Sequence, residues 1–152
     1  MEVKKILCAV DLEDTITPSV DYAKMMADLS GASVVVAYVI PAHTPYEDVY
    51  LSINHHPNEV DQPNETVQKS MNAFLVEKFA GMDVTGVILV GRPSEELVKL
   101  AEEKGADLIV MGTHGRAGFD RLLFGSVAHE VVRAAPCPVM TIRPEKPKDA
   151  AQ

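Results

Sequence analysis

ADLIVMGTHGRAGFDRLLFGSVAHEVVRAAPCPVMTIR, residues 106–143, decides how the rest of the chain is read. Residues 107–111 form a short apolar run that enters Gly112 directly, as a buried strand ending in a glycine would. Gly115 follows after two residues, and Gly125 and Ser126 after nine more, giving the array G-x2-G-x9-G-S. Beyond it, Ala128, Val131, Val132 and Ala135 recur at i, i+3, i+4 and i+7, which predicts a helix with Gly125 and Ser126 at its N-terminus. Pro136 stops that helix, and Pro138 starts a last strand through Ile142.

The pattern has a chemical use. A glycine at a strand end leaves bare backbone for a ligand to approach, and one in a tight loop takes positive φ without strain. The unpaired N–H groups and positive dipole end of a helix N-terminus attract anions, phosphates in particular. Ser126 either caps its helix or donates its hydroxyl to a phosphate oxygen. An isolated G-x2-G most often marks ordinary turns, but the full array between a strand and a helix favours a phosphate site.

Working outward, residues 3–10 (VKKILCAV) read as a strand buried on both faces that ends at Asp11. Asp11 either accepts hydrogen bonds from a ligand or organises the polar loop 12–17. Thr17-Pro18 predicts an N-cap and first helical residue, opening a helix to about Ser30, with Val20, Ala23 and Ala27 inward and Tyr22, Met25, Met26 and Leu29 widening the apolar surface. Residues 32–40 (ASVVVAYVI) are a second buried strand. Residues 41–63, with four prolines and His43, His55 and His56, form a long loop suited to a lid or partner surface. Adjacent histidines in such a loop lack the rigid geometry of a metal site, and none is expected.

From residue 64 to about residue 80, Val67, Met71, Phe74, Leu75 and Phe79 fall at helical spacing, and Gly81 closes the segment. A third strand spans 84–90 (VTGVILV), and Gly91-Arg92-Pro93 opens a helix with Glu95 and Glu96 in its first turn. The paired carboxylates are helix-start residues, because no other acid or base is placed to converge on them. Strands and helices alternate, which predicts an α/β three-layer sandwich: a five-stranded parallel sheet covered by four helices. One domain spans 1–143, and the charged tail 144–152 is expected to be disordered.

Composition sets outer limits. The net charge of −8 at pH 7 argues against the broad basic surface that nucleic-acid binding needs. An acidic protein must attract an anionic ligand locally, and backbone amides, Arg116 and Arg121 are the available means. No apolar run approaches the roughly 18 residues of a membrane span, and residues 1–11 lack signal-peptide order, so a cytoplasmic protein is expected. Cys8 and Cys137 have neither metal nor disulfide spacing and read as buried, reduced thiols.

The array, together with the opening VKKILCAVD and the closing PCPVMTIRP, resembles the ATP-binding branch of the universal stress protein family, whose signature is G-x2-G-x9-G-[ST]. The resemblance implies a Rossmann-like fold of the adenine nucleotide alpha hydrolase type with strand order 3-2-1-4-5, its switch point between strands 1 and 4. It further implies ATP, with or without Mg2+, as ligand: adenine near Val39 and Met111, ribose on Asp11, and phosphates along Gly112, Gly115, Gly125, Ser126 and the backbone N–H of Val127. Arg116 is a candidate to reach the phosphates. A homodimer through the last strand is implied as well, and ATP would bias that dimer, the loop 41–63, or both, toward a protein partner.

Two other readings stand beside it. No Walker G-x4-G-K-[ST] array is present, the first loop lacks the SGG-type sequence of related ATP pyrophosphatases, and His114 is the only histidine in the motif, which leaves at most slow ATP hydrolysis and names no catalytic residue. A nucleotide-free dimeric adaptor, as in another branch of the family, would be favoured by a bulky residue at Gly112, Gly115 or Gly125, and each is glycine.

Overall fold

The computed structural model describes residues 1–13, 17–41, 65–113 and 125–144. The element order is β1 (Lys5–Ala9), α1 (Pro18–Ser30), β2 (Ser33–Pro41), α2 (Glu65–Lys78), β3 (Val84–Gly91), α3 (Pro93–Lys104), β4 (Leu108–Gly112), α4 (Ser126–Ala134) and β5 (Val139–Ile142). All strand pairs are parallel, and the sheet order is β3-β2-β1-β4-β5. The expected sheet, its order and its four covering helices are therefore present. The loop 42–64, Gly115, Arg116, Arg121, His114 and the tail 145–152 lie outside the described residues.

Alternation along the strands divides the core in two. Ile6, Cys8, Val34, Val36, Leu108 and Val110 pack with Val20, Ala23 and Ala27 of α1 and with Met71 of α2 and Phe79 just past it. Leu7, Val35, Ala37, Val39, Ile109 and Met111 pack on the other face with Leu97, Leu100 and Ala101 of α3 and Ala128 and Val131 of α4. Each buried aliphatic side chain contributes about 1.5–3 kcal/mol, so the central strands, buried on both faces, hold most of the apolar stabilisation.

The start of β1 is clamped to β4. The backbone N–H groups of Lys4 and Lys5 donate to Asp107 Oδ2 at 2.9 and 3.0 Å, and the Asp107 N–H returns a bond to the Lys5 carbonyl at 2.9 Å. These bonds fix the register that pairs Ile6 with Leu108 and Cys8 with Val110. Gly31, Gly81 and Gly105 close their helices or turns at positive φ, as residues without Cβ do at low cost. α2 lies close to β3 at Gly86, where an added Cβ would stand 2.6 Å from Met71 Cγ.

Several expectations need correction. Val132 is exposed rather than inward, and Tyr22, Met25 and Leu29 face outward on α1. Cys8 is buried, and burial pushes its thiol pKa up to about 12, but Cys137 is only half-buried. β4 runs through Gly112, which pairs with Ile142, so the first glycine of the array belongs to the sheet. No helix among the described residues is long and apolar enough to cross a membrane.

The two amide bonds, ahead of any charge, hold the Asp107 carboxyl pKa below the ordinary value. A depressed folded-state pKa stabilises the fold above the unfolded value near 4 and ceases to do so as pH falls through the folded value. Asp107→Asn is expected to lower the unfolding midpoint at pH 7, with the gap from wild type closing on acidification below about pH 4. A pH series of denaturant melts checks this, and a gap that is constant with pH would contradict it.

Candidate functional site

β1 and β4 are neighbours whose chain connections leave in opposite directions, so a crevice opens beyond their C-terminal ends. Its floor is the face carrying Ala9, Val39 and Met111. Ala9 ends the central strand, pairs with Ala37 of β2 and is only half-buried, and its small side chain leaves the floor low there. Val39 and Met111 are buried in the same apolar layer. Asp11 follows two residues after β1. Its Oδ1 accepts the Glu13 N–H at 3.0 Å, so the loop-organising role is realised. Burial first, then the Asp11 charge, raises the pKa of the Tyr38 phenol, which belongs to the opposite face.

Across the crevice α4 begins. Gly125 is its N-cap and Ser126 its first helical residue, so Ser126 does not occupy the cap position, and the cap residue makes no side-chain cap bond. The Gly125 N–H donates to the Thr113 carbonyl at 2.8 Å, which ties the head of α4 to the residue after β4. The first bond within the helix runs from the His129 N–H to the Gly125 carbonyl at 3.0 Å. By helical geometry the N–H groups of Ser126, Val127 and Ala128 have no carbonyl one turn back, and they carry the positive end of the dipole.

The glycines fall into two kinds. Gly31, Gly81, Gly91 and Gly105 have positive φ between 65° and 154°, where other residues are strained. Gly125 has φ −57° and ψ 146°, open to any residue, and Gly112 is a strand residue without positive φ. At an N-cap, moreover, Ser or Asp would serve the helix better than Gly. The backbone thus makes no demand for glycine at these two positions. What remains particular to glycine there is the absence of a side chain at two half-buried positions.

The sequence reading missed three features. Thr113 is buried, and besides receiving Gly125 it donates its N–H at 3.0 Å and its hydroxyl at 3.4 Å to the Ile142 carbonyl, linking the crevice to β5. Ala9 was legible from alternation with Leu7. On α4, Glu130 accepts from the Ser94 hydroxyl and from Arg92 Nη2, the latter at 2.9 Å, and these bonds hold its carboxyl below the usual pKa range. No local signal announces contacts between residues 36 and 38 apart. Among the described residues no three His, Cys, Asp or Glu side chains cluster as metal ligands would.

The profile of the universal stress protein family matches residues 2–143. The chain belongs to that family. A universal stress protein of Methanocaldococcus jannaschii, MJ0531, is 36% identical over 152 residues, covering 95% of this chain and 84% of the relative. The solved structure of MJ0577, a universal stress protein from the same organism, superposes with a TM-score of 0.78 at 29% identity, covering 97% of this chain and all of that one. A universal stress protein from Archaeoglobus fulgidus, solved in complex with dAMP, gives a TM-score of 0.59 at 26% identity, covering 93% and 99%.

In this universal stress protein Asp11, Val39, Met111, Gly112, Gly125, Ser126 and Val127 all lie at the C-terminal end of the sheet, on its strands or at the head of α4. Because Gly125 has unstrained dihedrals at an N-cap, Gly125→Asp is expected to fold and to gain about a few tenths of a kcal/mol. Thermal melts check this. A fall of many degrees would mean that the glycine is there for the fold.

Proposed function

We propose that this universal stress protein binds an adenine nucleotide, ATP, in the crevice between β1 and β4. The observation that carries the reading is the pair Gly112 and Gly125: glycines whose backbone angles do not require glycine, at a helix N-terminus whose cap residue has no side chain. An anion against that terminus explains both, since a Cβ or a capping side chain would occupy its place. Adenine rests on the apolar floor near Val39 and Met111, the ribose hydroxyls meet Asp11, and the phosphates meet Gly112, Gly115, Gly125, Ser126 and Val127, with Arg116 approaching from the loop. The dAMP complex of the Archaeoglobus fulgidus relative supports an adenine ligand at this fold.

The ligand acts as a regulator of assembly. β5 ends the sheet with Val139, Met140 and Thr141 only half-buried, an edge suited to pairing with its own copy about a two-fold axis. Thr113 bonds to both Gly125 and Ile142, so a shift at the phosphate end of the crevice reaches that edge. Such coupling requires ATP to bind two states of the dimer unequally.

Calorimetric titration with ATP tests the reading. Wild type is expected to bind, and Gly125→Asp, which places a carboxylate where the phosphate would lie, to lose binding by about a hundredfold or more without loss of fold. Equal binding by both, or none by a folded wild type up to millimolar ATP, would contradict it. Light scattering of the same samples should give the dimer mass.

A further inference from the structure

Glu130 stands one turn past the head of α4 and faces α3. Its carboxylate accepts from the hydroxyl of Ser94, a buried residue in the first turn of α3, and from Arg92, the N-cap residue of α3, which also reaches Glu95 at 3.5 Å. Both helices start at the crevice end of the sheet, so this contact ties the head of one to the first turns of the other.

α4 has only nine residues, and its buried contacts with the sheet are Ala128 and Val131. Together with the half-buried Val127, these apolar contacts set the height of a short helix over the sheet but restrain its tilt and rotation weakly, because dispersion contacts have little directionality. α4 also packs along α3, and beside that contact an open groove of about 630 Å³ has Arg92, Ser94 and Glu130 in its wall. Alongside the backbone bond from Gly125 to Thr113, the bonds to Glu130 give α4 a directional restraint against α3. A carboxylate there is also a cost to any anion at the head of α4, and the paired Arg92 guanidinium offsets it.

We propose that Glu130 is a positioning residue for the phosphate end of the nucleotide site, holding α4 so that the N–H groups of its first turn stay aimed into the crevice. The inference rests on the nucleotide reading above. Ser94 fixes the orientation of the carboxylate, and Arg92 neutralises it. Loss of the side chain frees the helix to tilt, which weakens contacts to phosphate and leaves those to the adenine floor unchanged. That split separates positioning from general destabilisation.

The test is titration of nucleotide-stripped protein with ATP and with adenosine, at a temperature where melts show every variant folded. Glu130→Ala is expected to weaken ATP about fivefold while adenosine stays within about twofold, the scale of one or two hydrogen bonds. Glu130→Gln, which still accepts from Ser94, should recover most of the loss. Ser94→Ala should weaken ATP in the same direction, and the double variant Ser94→Ala with Glu130→Ala should be no worse than Glu130→Ala alone. Unchanged ATP affinity in Glu130→Ala, or equal losses for ATP and adenosine, would overturn the inference and leave the nucleotide reading intact. A wild type that binds no ATP would overturn both.

Discussion

A right-handed crossover between parallel strands places its helix on a face set by the direction in which the sheet is growing. The chain moves outward from β1 through β2 to β3, then returns to lay β4 on the other side of β1 and continues to β5. This reversal sends α1 and α2 to one face and α3 and α4 to the other. Among the described residues no connection crosses the gap between β1 and β4 at their C-terminal ends. The crevice is therefore a consequence of strand order, and every candidate site residue among those described lies around it.

The two ends of the central strand pair have opposite characters. At the start, Asp107 binds the β1 amides and fixes the register. At the other end stand the small Ala9 and, at Gly112 and Gly125, residues without a side chain. The rigid end allows the open end to exist, since register held by the clamp and by two-sided burial does not depend on contacts across the crevice. α4 then links both parts: its apolar residues belong to the core and its first turn to the site.

β1, β2 and β4 were legible because their apolar runs are bounded by Gly, Pro or Asp, the pattern of a strand covered on both sides. Helix ends were legible from Thr17-Pro18, Gly81 and Arg92-Pro93. Val132 was misread because it sits at the margin of the α4 stripe, on the side away from Val131, and a nine-residue helix buries only the centre of such a stripe. Ser126 was open between cap and first helical residue because adjacent Gly and Ser both favour helix starts; the dihedrals of Gly125 decide it. The Glu130 contact to α3 was invisible because it depends on how two helices meet, which sequence spacing does not encode. The distinction between glycines that the backbone needs and those it does not also required φ values.

A crystal structure of the protein grown with ATP tests the central claim most directly. The account predicts phosphate oxygens within hydrogen-bond distance of the Ser126 and Val127 N–H groups, adenine against Val39 and Met111, and the ribose on Asp11. Nucleotide seated elsewhere, or a crevice closed by side chains in crystals grown at saturating ATP, would contradict it.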